Sequence, residues 1–262
     1  MKTDNLRMPF EVERIRRRPG QSAGEHWRDI LDRADDAVTP VLASAVVFLM
    51  ISIYQAFGFV MPIWLGVAMA VIAGLWIVYR VLKMRREVRT WRLGENGELY
   101  VGQTLEKDMR PLGYDVFHDV VIKKAGRTFN IDHVLIGPNG VYIVETKTWR
   151  KPEKGRAEVA YRNGCFYKMN EKFNDSVIRE MAGLAKEANR LFLNLTGRSY
   201  YVKPILVVAG WYSIFDGAKD APFWLLNEKQ VANWVSKDKP QRVPDPKDLA
   251  LLRFKLEQYD PS

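Results

Sequence analysis

The sequence predicts an α/β domain with a mixed central sheet flanked by helices, preceded by a two-helix transmembrane hairpin. Two observations carry this prediction. Residues 37–79 hold no charged side chain over 43 positions, and after residue 92 runs rich in Val, Ile and aromatic residues alternate with helical patterns. A helix that spans a bilayer needs about 20 apolar residues, so the uncharged stretch is long enough for two spans.

The two spans are predicted at about residues 38–56 and 63–81. Basic residues flank both ends of the uncharged stretch, including six within residues 80–92. The positive-inside rule then places both termini in the cytoplasm, which predicts a multi-pass protein of a bacterial inner membrane. Membrane lipid would contact residues 37–82 and the basic stretch 80–92. The alternative, a buried helical hairpin in a soluble protein, would need a very large core.

The amino-acid composition excludes several other classes of protein and of site. The 262 residues are 47% hydrophobic and 12% aromatic, which suits a packed core rather than a disordered chain. The single cysteine, Cys165, excludes an internal disulfide framework and a multi-cysteine zinc site. The net charge of +9 is weak support for nucleic-acid binding, because the residues beside the predicted hairpin supply more than half of it.

Five segments are predicted from these patterns: a polar N-terminal segment (1–36), the hairpin (37–82), a basic linker (83–93), an α/β core (94–210) and a C-terminal helical extension (211–262). Within the core and the extension, periodicity predicts helices at 95–110, 176–195, 228–237 and 246–258. Strands are predicted at 114–122, 128–136, 141–148, 158–161, 166–169 and 201–209.

The turn Gly137-Pro138-Asn139-Gly140 lies between two apolar, alternating runs and predicts a hairpin. A symmetric four-residue loop would set Asp132 opposite Glu145, with Lys147 on the same face. Directly opposed carboxylates repel each other, so either one is protonated or a cation lies between them. Their hard oxygen ligands suit Mg²⁺ or Mn²⁺.

A third carboxylate, Glu98, is predicted on the helix face that packs against the sheet. It would complete the metal site or pair with an arginine. Gly102, on the same face, would let this helix approach its neighbour closely. Lys147 would orient the attacking water or stabilise charge on phosphorus during phosphodiester hydrolysis.

These blocks resemble a known family. Gly94-x-x-Gly97-Glu98, Ile131-Asp132-His133, Gly137-Pro138-Asn139-Gly140-Val141 and Glu145-Thr146-Lys147-Thr148-Trp149 are similar to the nuclease-related domain, NERD, of the PD-(D/E)xK nuclease superfamily. The resemblance covers about residues 92–209 and implies a restriction-endonuclease-like fold.

The resemblance also implies roles for individual residues. Asp132 and Glu145 would be metal ligands, Glu98 the helical glutamate that supports the metal, and Lys147 the catalytic lysine. Glu180 stands where family members often have a glutamine, and the preceding Asn-Pro is missing. The departure puts a fifth site residue in question, whereas the trio Asp132, Glu145 and Lys147 remains intact.

Two functions are predicted from different classes. The first is a membrane-anchored, Mg²⁺-dependent nuclease that acts on DNA in preference to RNA. The second is an inactive nuclease-like domain that serves as a membrane-tethered nucleic-acid-binding or scaffolding module. For Asp132, Glu145 and Lys147 the plain alternative is a surface ion-pair ladder. His133 should point to the face opposite Asp132, and Trp149 would either stack on nucleic acid or end a solvated strand.

Overall fold

The computed structural model describes residues 17–30, 44–45, 48, 51–53, 55, 63–124, 127–173, 176–217, 221–240 and 245–260. Contacts divide the chain into two compact units, one formed by residues 22–95 and the other by residues 1–21 with 96–262.

The chain is helical over residues 21–30. The helices that follow are α1 (Ile63–Met109), a short 3₁₀ turn (Arg110–Leu112), α2 (Ser176–Thr196), α3 (Val231–Lys237) and α4 (Pro246–Glu257). The strands are β1 (Asp115–Lys124), β2 (Arg127–Gly137), β3 (Gly140–Lys147), β4 (Glu158–Arg162), β5 (Cys165–Lys168), β6 (Glu171–Lys172), β7 (Val202–Val208), β8 (Tyr212–Asp216) and β9 (Trp224–Leu226).

Within the unit of residues 22–95, aromatic side chains join residues 22–30 to α1. The indole Nε1 of Trp27 donates to the Glu95 carboxylate over 2.6 Å. The rings of His26 and Trp91 lie 4.1 Å apart between centroids. This contact covers part of the segment that the sequence predicts only as polar.

α1 is one continuous helix of 47 residues, and the predicted basic linker 83–93 is part of it. Neither Gly nor Pro occurs between Gly74 and Gly94, and the intervening Leu, Lys, Met, Arg and Glu residues favour a helix. The predicted second span, the linker and the predicted helix at 95–110 therefore form a single element.

The prediction of a multi-pass membrane protein is wrong. Nowhere in the described residues is there a helix with the length and apolar character needed to cross a bilayer. Of the predicted first span, 38–56, the structure describes only residues 44–45, 48, 51–53 and 55.

The larger sheet has the strand order β1-β2-β3-β7-β9. Its first three strands are antiparallel, whereas β3, β7 and β9 run parallel, so the predicted mixed sheet is confirmed. The hairpin of β2 and β3 has the predicted register, with Ile136 opposite Val141 and Val134 opposite Ile143.

Helices cover both faces of this sheet. Val134 and Ile143 lie on one face in a core that includes Phe192 of α2 and Leu252 of α4. The other face packs against α1 and α3 through a second core: Leu105 and Met109 of α1, Leu135, Tyr142, Val144, Ile205, and Val231 and Val235 of α3. The predicted α/β class with flanking helices is confirmed.

A second sheet of order β6-β5-β4-β8 was not anticipated as a separate layer. The predicted hairpin of β4 and β5 turns at Asn163 and Gly164, both with positive φ, as a two-residue turn requires. Residues 211–262, predicted as a helical extension, begin instead with β8 and β9. The apolar run Trp224–Leu226 is too short for periodicity to distinguish a strand from a helix.

Gly102 lets three segments meet. A Cβ at this position would lie 2.6 Å from Cγ of Pro19 and 3.2 Å from Cε1 of His133. The predicted close approach of α1 at Gly102 is therefore confirmed, and the neighbours are the sheet and the segment that holds Pro19.

Gly102→Ala should destabilise the protein, because overpacking costs about 1–3 kcal/mol while the gain in helix propensity offsets only about 1 kcal/mol. Gly94→Ala is the matched control in the same helix, since a Cβ there meets nothing within 4 Å. It should stabilise by up to about 1 kcal/mol. Urea unfolding measures both, and equal effects of the two substitutions would contradict the packing argument.

Candidate active site

The candidate site lies where the pairing of β2 with β3 ends. The last paired residues are His133 and Val144. One residue further, Asp132 and Glu145 do not form the next backbone pair. The carboxylate of Asp132 instead accepts a hydrogen bond of 2.6 Å from the backbone N–H of Thr146. The backbone ladder therefore ends one pair before Asp132 and Glu145, and the side chain of Asp132 serves as the acceptor at that end.

Asp132 is only 6% exposed and lies in a negative environment. Burial raises the pKa of its carboxyl well above the usual range, and the carboxylates of Glu145 and Glu98 raise it further. The Thr146 N–H and the Lys147 ammonium act in the opposite direction. Glu145, Glu98 and Lys147 are therefore all within electrostatic range of Asp132.

Lys147 is held by two carboxylates from different elements. Its Nζ lies 2.9 Å from Oε1 of Glu145 on the same strand and 3.4 Å from Oε2 of Glu180 on α2. Burial lowers the pKa of Lys147, but Glu145, Glu180 and Asp132 together raise it above its ordinary value. The lysine is consequently a fixed cation, and Glu180 contacts the site through it.

α1 supplies Glu98, which is half-buried and close enough to influence Asp132. The neighbouring Gly97 makes this approach possible, since a Cβ there would overlap the side chain of Thr148 just beyond β3. The Oγ1 of Thr148 is itself buried, with no hydrogen-bond partner among the described residues. The helix and the end of β3 thus touch directly beside the site.

The chemistry of these donors fits a hard divalent cation, because they are carboxylate oxygens that repel one another. Their arrangement is not that of a finished ligand shell. Among the residues that the structure describes, no three His, Cys, Asp or Glu side chains are grouped so that they could hold a metal ion. Glu145 pairs with Lys147 instead, which compensates its charge. Of the predicted ligands, Glu145 and Glu98 lie close enough to act on the charge of Asp132. The three carboxylates do not form a metal-binding group.

A chain of polar contacts on the opposite face was missed by sequence reasoning. His133 lies on the face that packs against α1, and its Nδ1 is 2.9 Å from Nδ1 of His118 on β1. His133 Nε2 is 3.4 Å from Oγ1 of Thr146, and His118 Nε2 is 3.0 Å from Oε1 of Glu106. The two histidines meet because β1 pairs with β2 in a register that sets them opposite each other, and the sequence analysis had assigned no register to these strands.

A second buried carboxylate, Asp119, was also missed. It is fully buried and has a φ of 50°, which interrupts the β1–β2 ladder between residues that pair on either side. Arg17 donates to it over 2.6 Å and Asn130 over 2.7 Å. Arg17 is far away in sequence, so no local pattern could indicate this ion pair.

Trp149 is largely enclosed rather than presented for stacking. Its ring packs edge-on against Trp211 and Phe166, with centroids 5.7 Å and 6.2 Å away. The ammonium of Lys168 lies 4.5 Å from the ring centroid. The indole therefore belongs to the core beneath the second sheet.

Comparisons with known proteins find two matches, each to part of this chain. The family model described as nuclease-related domain, NERD, matches residues 93–209, which confirms the resemblance for that part of the chain. All four predicted site residues fall inside the matched range. An uncharacterized protein of Bacillus anthracis is 34% identical over 87 residues. That match covers 32% of this chain and 40% of the length of the relative.

Asp132→Asn should raise the free energy of unfolding at pH 7 when EDTA removes divalent ions. The substitution removes one of three neighbouring negative charges and keeps an oxygen that can accept from Thr146. A gain is expected because an amide carries no charge for Glu145 and Glu98 to repel and loses less on burial than a carboxylate does. The exposed carboxyl of Asp216 provides the control, and Asp216→Asn should change stability by less than about 0.5 kcal/mol. A clear loss of stability in Asp132→Asn would contradict the repulsive site.

Proposed function

We propose that the domain over residues 93–209 is a metal-dependent nuclease that hydrolyses phosphodiester bonds, in DNA in preference to RNA. One observation carries the proposal most directly. Asp132 is buried where the β2–β3 ladder ends, beside the Lys147–Glu145 ion pair of β3, and burial together with the carboxylates of Glu145 and Glu98 raises its pKa. The match to the nuclease-related family model over the same residues supports it independently.

Asp132, Glu145 and Glu98 would hold Mg²⁺ or Mn²⁺ through carboxylate oxygens. The ion, when bound, supplies Lewis-acid stabilisation of the phosphoryl group and favours ionisation of water. Binding of a cation would also relieve the repulsion that the three carboxylates exert on one another.

Lys147 would place a positively charged ammonium group beside the reacting phosphate. Its ammonium, held 2.9 Å from Glu145, can donate a hydrogen bond to the attacking water and stabilise negative charge that develops on the phosphoryl oxygens. The water oxygen forms a new bond to phosphorus while the bond to the departing sugar oxygen breaks. One water proton ends on that oxygen, and the products are a phosphate monoester and a hydroxyl group.

Lys147→Gln and Asp132→Asn should each reduce Mg²⁺-dependent cleavage of DNA by about a hundredfold or more, because each removes a charge that acts in the transition state. Lys151→Ala is the matched control: this exposed lysine follows the motif and should leave the cleavage rate within about twofold. Release of labelled fragments from the purified chain measures the rates. Cleavage by both site variants at the rate of the unaltered chain would refute the assigned site.

The second candidate function is a nucleic-acid-binding or scaffolding module without catalysis. Its specific support is the absence of a three-ligand metal cluster among the described residues, together with Glu180 in the place of the family glutamine. Without a functional metal site, the two glutamates that pair with Lys147 would have a structural role only.

Divalent-metal titration separates the two functions. If the carboxylates bind Mg²⁺ or Mn²⁺, mass action should raise the melting temperature progressively, with about 2.7 kcal/mol of stabilisation at one hundred times the Kd. Asp132→Asn should abolish this rise. A melting temperature that does not respond to metal in the unaltered chain would favour the non-catalytic module.

A further inference from the structure

A groove of about 620 Å³ lies outside the candidate active site, between α1, the edge strand β1 and residues 17–19. Four of its lining side chains are cationic, Arg17, Arg18, Lys107 and Arg110; the other polar ones are Gln103, Glu106 and His118. Four basic side chains thus face a single carboxylate in one concave surface. Such an arrangement concentrates positive potential and attracts anions.

Contacts with the rest of the domain hold residues 17–19, which form one wall of the groove. The guanidinium of Arg17 donates to the buried Asp119 over 2.6 Å, and Asn130 supports the other oxygen of that carboxylate. Pro19 lies directly against Gly102, where a larger residue would not fit. Residues 17–19 therefore belong to the wall of the groove.

The positive charge of the groove is only partly compensated inside the protein. Glu106 already contacts both Arg110 and His118. Arg18 and Lys107 are exposed, and no carboxylate of the described residues lies within ion-pair distance of either side chain. Two cations are consequently available to an external anion.

The groove is joined to the candidate active site by hydrogen bonds. Glu106 and His118 line the groove, His118 contacts His133, and His133 contacts Thr146. The N–H of Thr146 donates to Asp132. A ligand in the groove therefore lies on the same polar network as the proposed metal ligands, on the side of the sheet that packs against α1.

The geometry points to this groove as a binding site for the phosphodiester backbone of the nucleic acid, an inference that rests on the proposed function and extends it. Arginine and lysine side chains are the usual partners of backbone phosphates, and such contacts set the position of a nucleic acid without reading its sequence. Arg18 and Lys107 contact phosphates, while Arg17 and Arg110 are held by protein carboxylates and shape the cationic wall.

The test is binding of a fluorescent 20-base-pair DNA to the full chain in EDTA, so that no cleavage occurs. The variant Arg18→Gln/Lys107→Gln neutralises the two available cations. The matched control, Lys186→Gln/Arg190→Gln, removes the same charge from exposed positions on α2. Fluorescence anisotropy at several salt concentrations gives the affinity and its salt dependence, and thermal melts verify that each variant is folded.

The groove variant should bind about ten- to a hundredfold more weakly than the unaltered chain near 0.1 M salt. Its slope of log affinity against log salt should fall by about 1.8, from about 0.9 for each lost phosphate contact. The control should change the slope by less than half as much. Equal losses in the two variants would overturn the inference and indicate a response to net charge alone.

Competition identifies the source of the phosphate. Millimolar inorganic phosphate should not displace the DNA beyond the effect of matched ionic strength; specific displacement would indicate a site for a free anion and overturn the assignment to a polymer. Binding through the groove by a chain that does not cleave DNA would contradict the proposed nuclease activity and leave the groove assignment standing.

Discussion

The backbone pairing of β2 with β3 stops at His133 and Val144, and the Asp132 carboxylate takes the next N–H, that of Thr146. This single interaction holds a carboxylate in a buried position at the end of the central hairpin. Burial makes its ionised form costly, and the neighbouring glutamates add to that cost. The hydrogen bond from β3 therefore holds the Asp132 carboxyl close to the two glutamates.

Helices on both faces of the sheet complete this site. α1 approaches from one face and brings Glu98, which requires Gly97 to lie against Thr148. α2 packs on the other face and brings Glu180 to Lys147. Residues separated by many positions in the chain meet because the end of a sheet is accessible to both helical layers. The same architecture leaves the edge strand β1 free to form the groove with α1 and residues 17–19.

His118 and His133 form hydrogen bonds with each other and with polar side chains between the groove and the candidate active site. Glu106 contacts His118, His118 contacts His133, and His133 contacts Thr146, so the four side chains form one continuous polar network. Buried polar groups need such partners, and a connected network fixes their positions more firmly than isolated contacts would. The proposed groove and the proposed catalytic site are thus linked through the interior of the sheet.

The sequence by itself determined the α/β class, the hairpin register and the shared face of Val134 and Ile143, because alternation and turn chemistry are local properties. It did not determine that the ladder would end before Glu145, nor that β8 and β9 would join different sheets. The two membrane spans predicted from the uncharged stretch are not supported, since no helix of the described residues is long and apolar enough to cross a bilayer. The Arg17–Asp119 ion pair and the Glu180–Lys147 contact were decided only by tertiary packing, because nothing in a local sequence pattern records which distant charges a fold brings together.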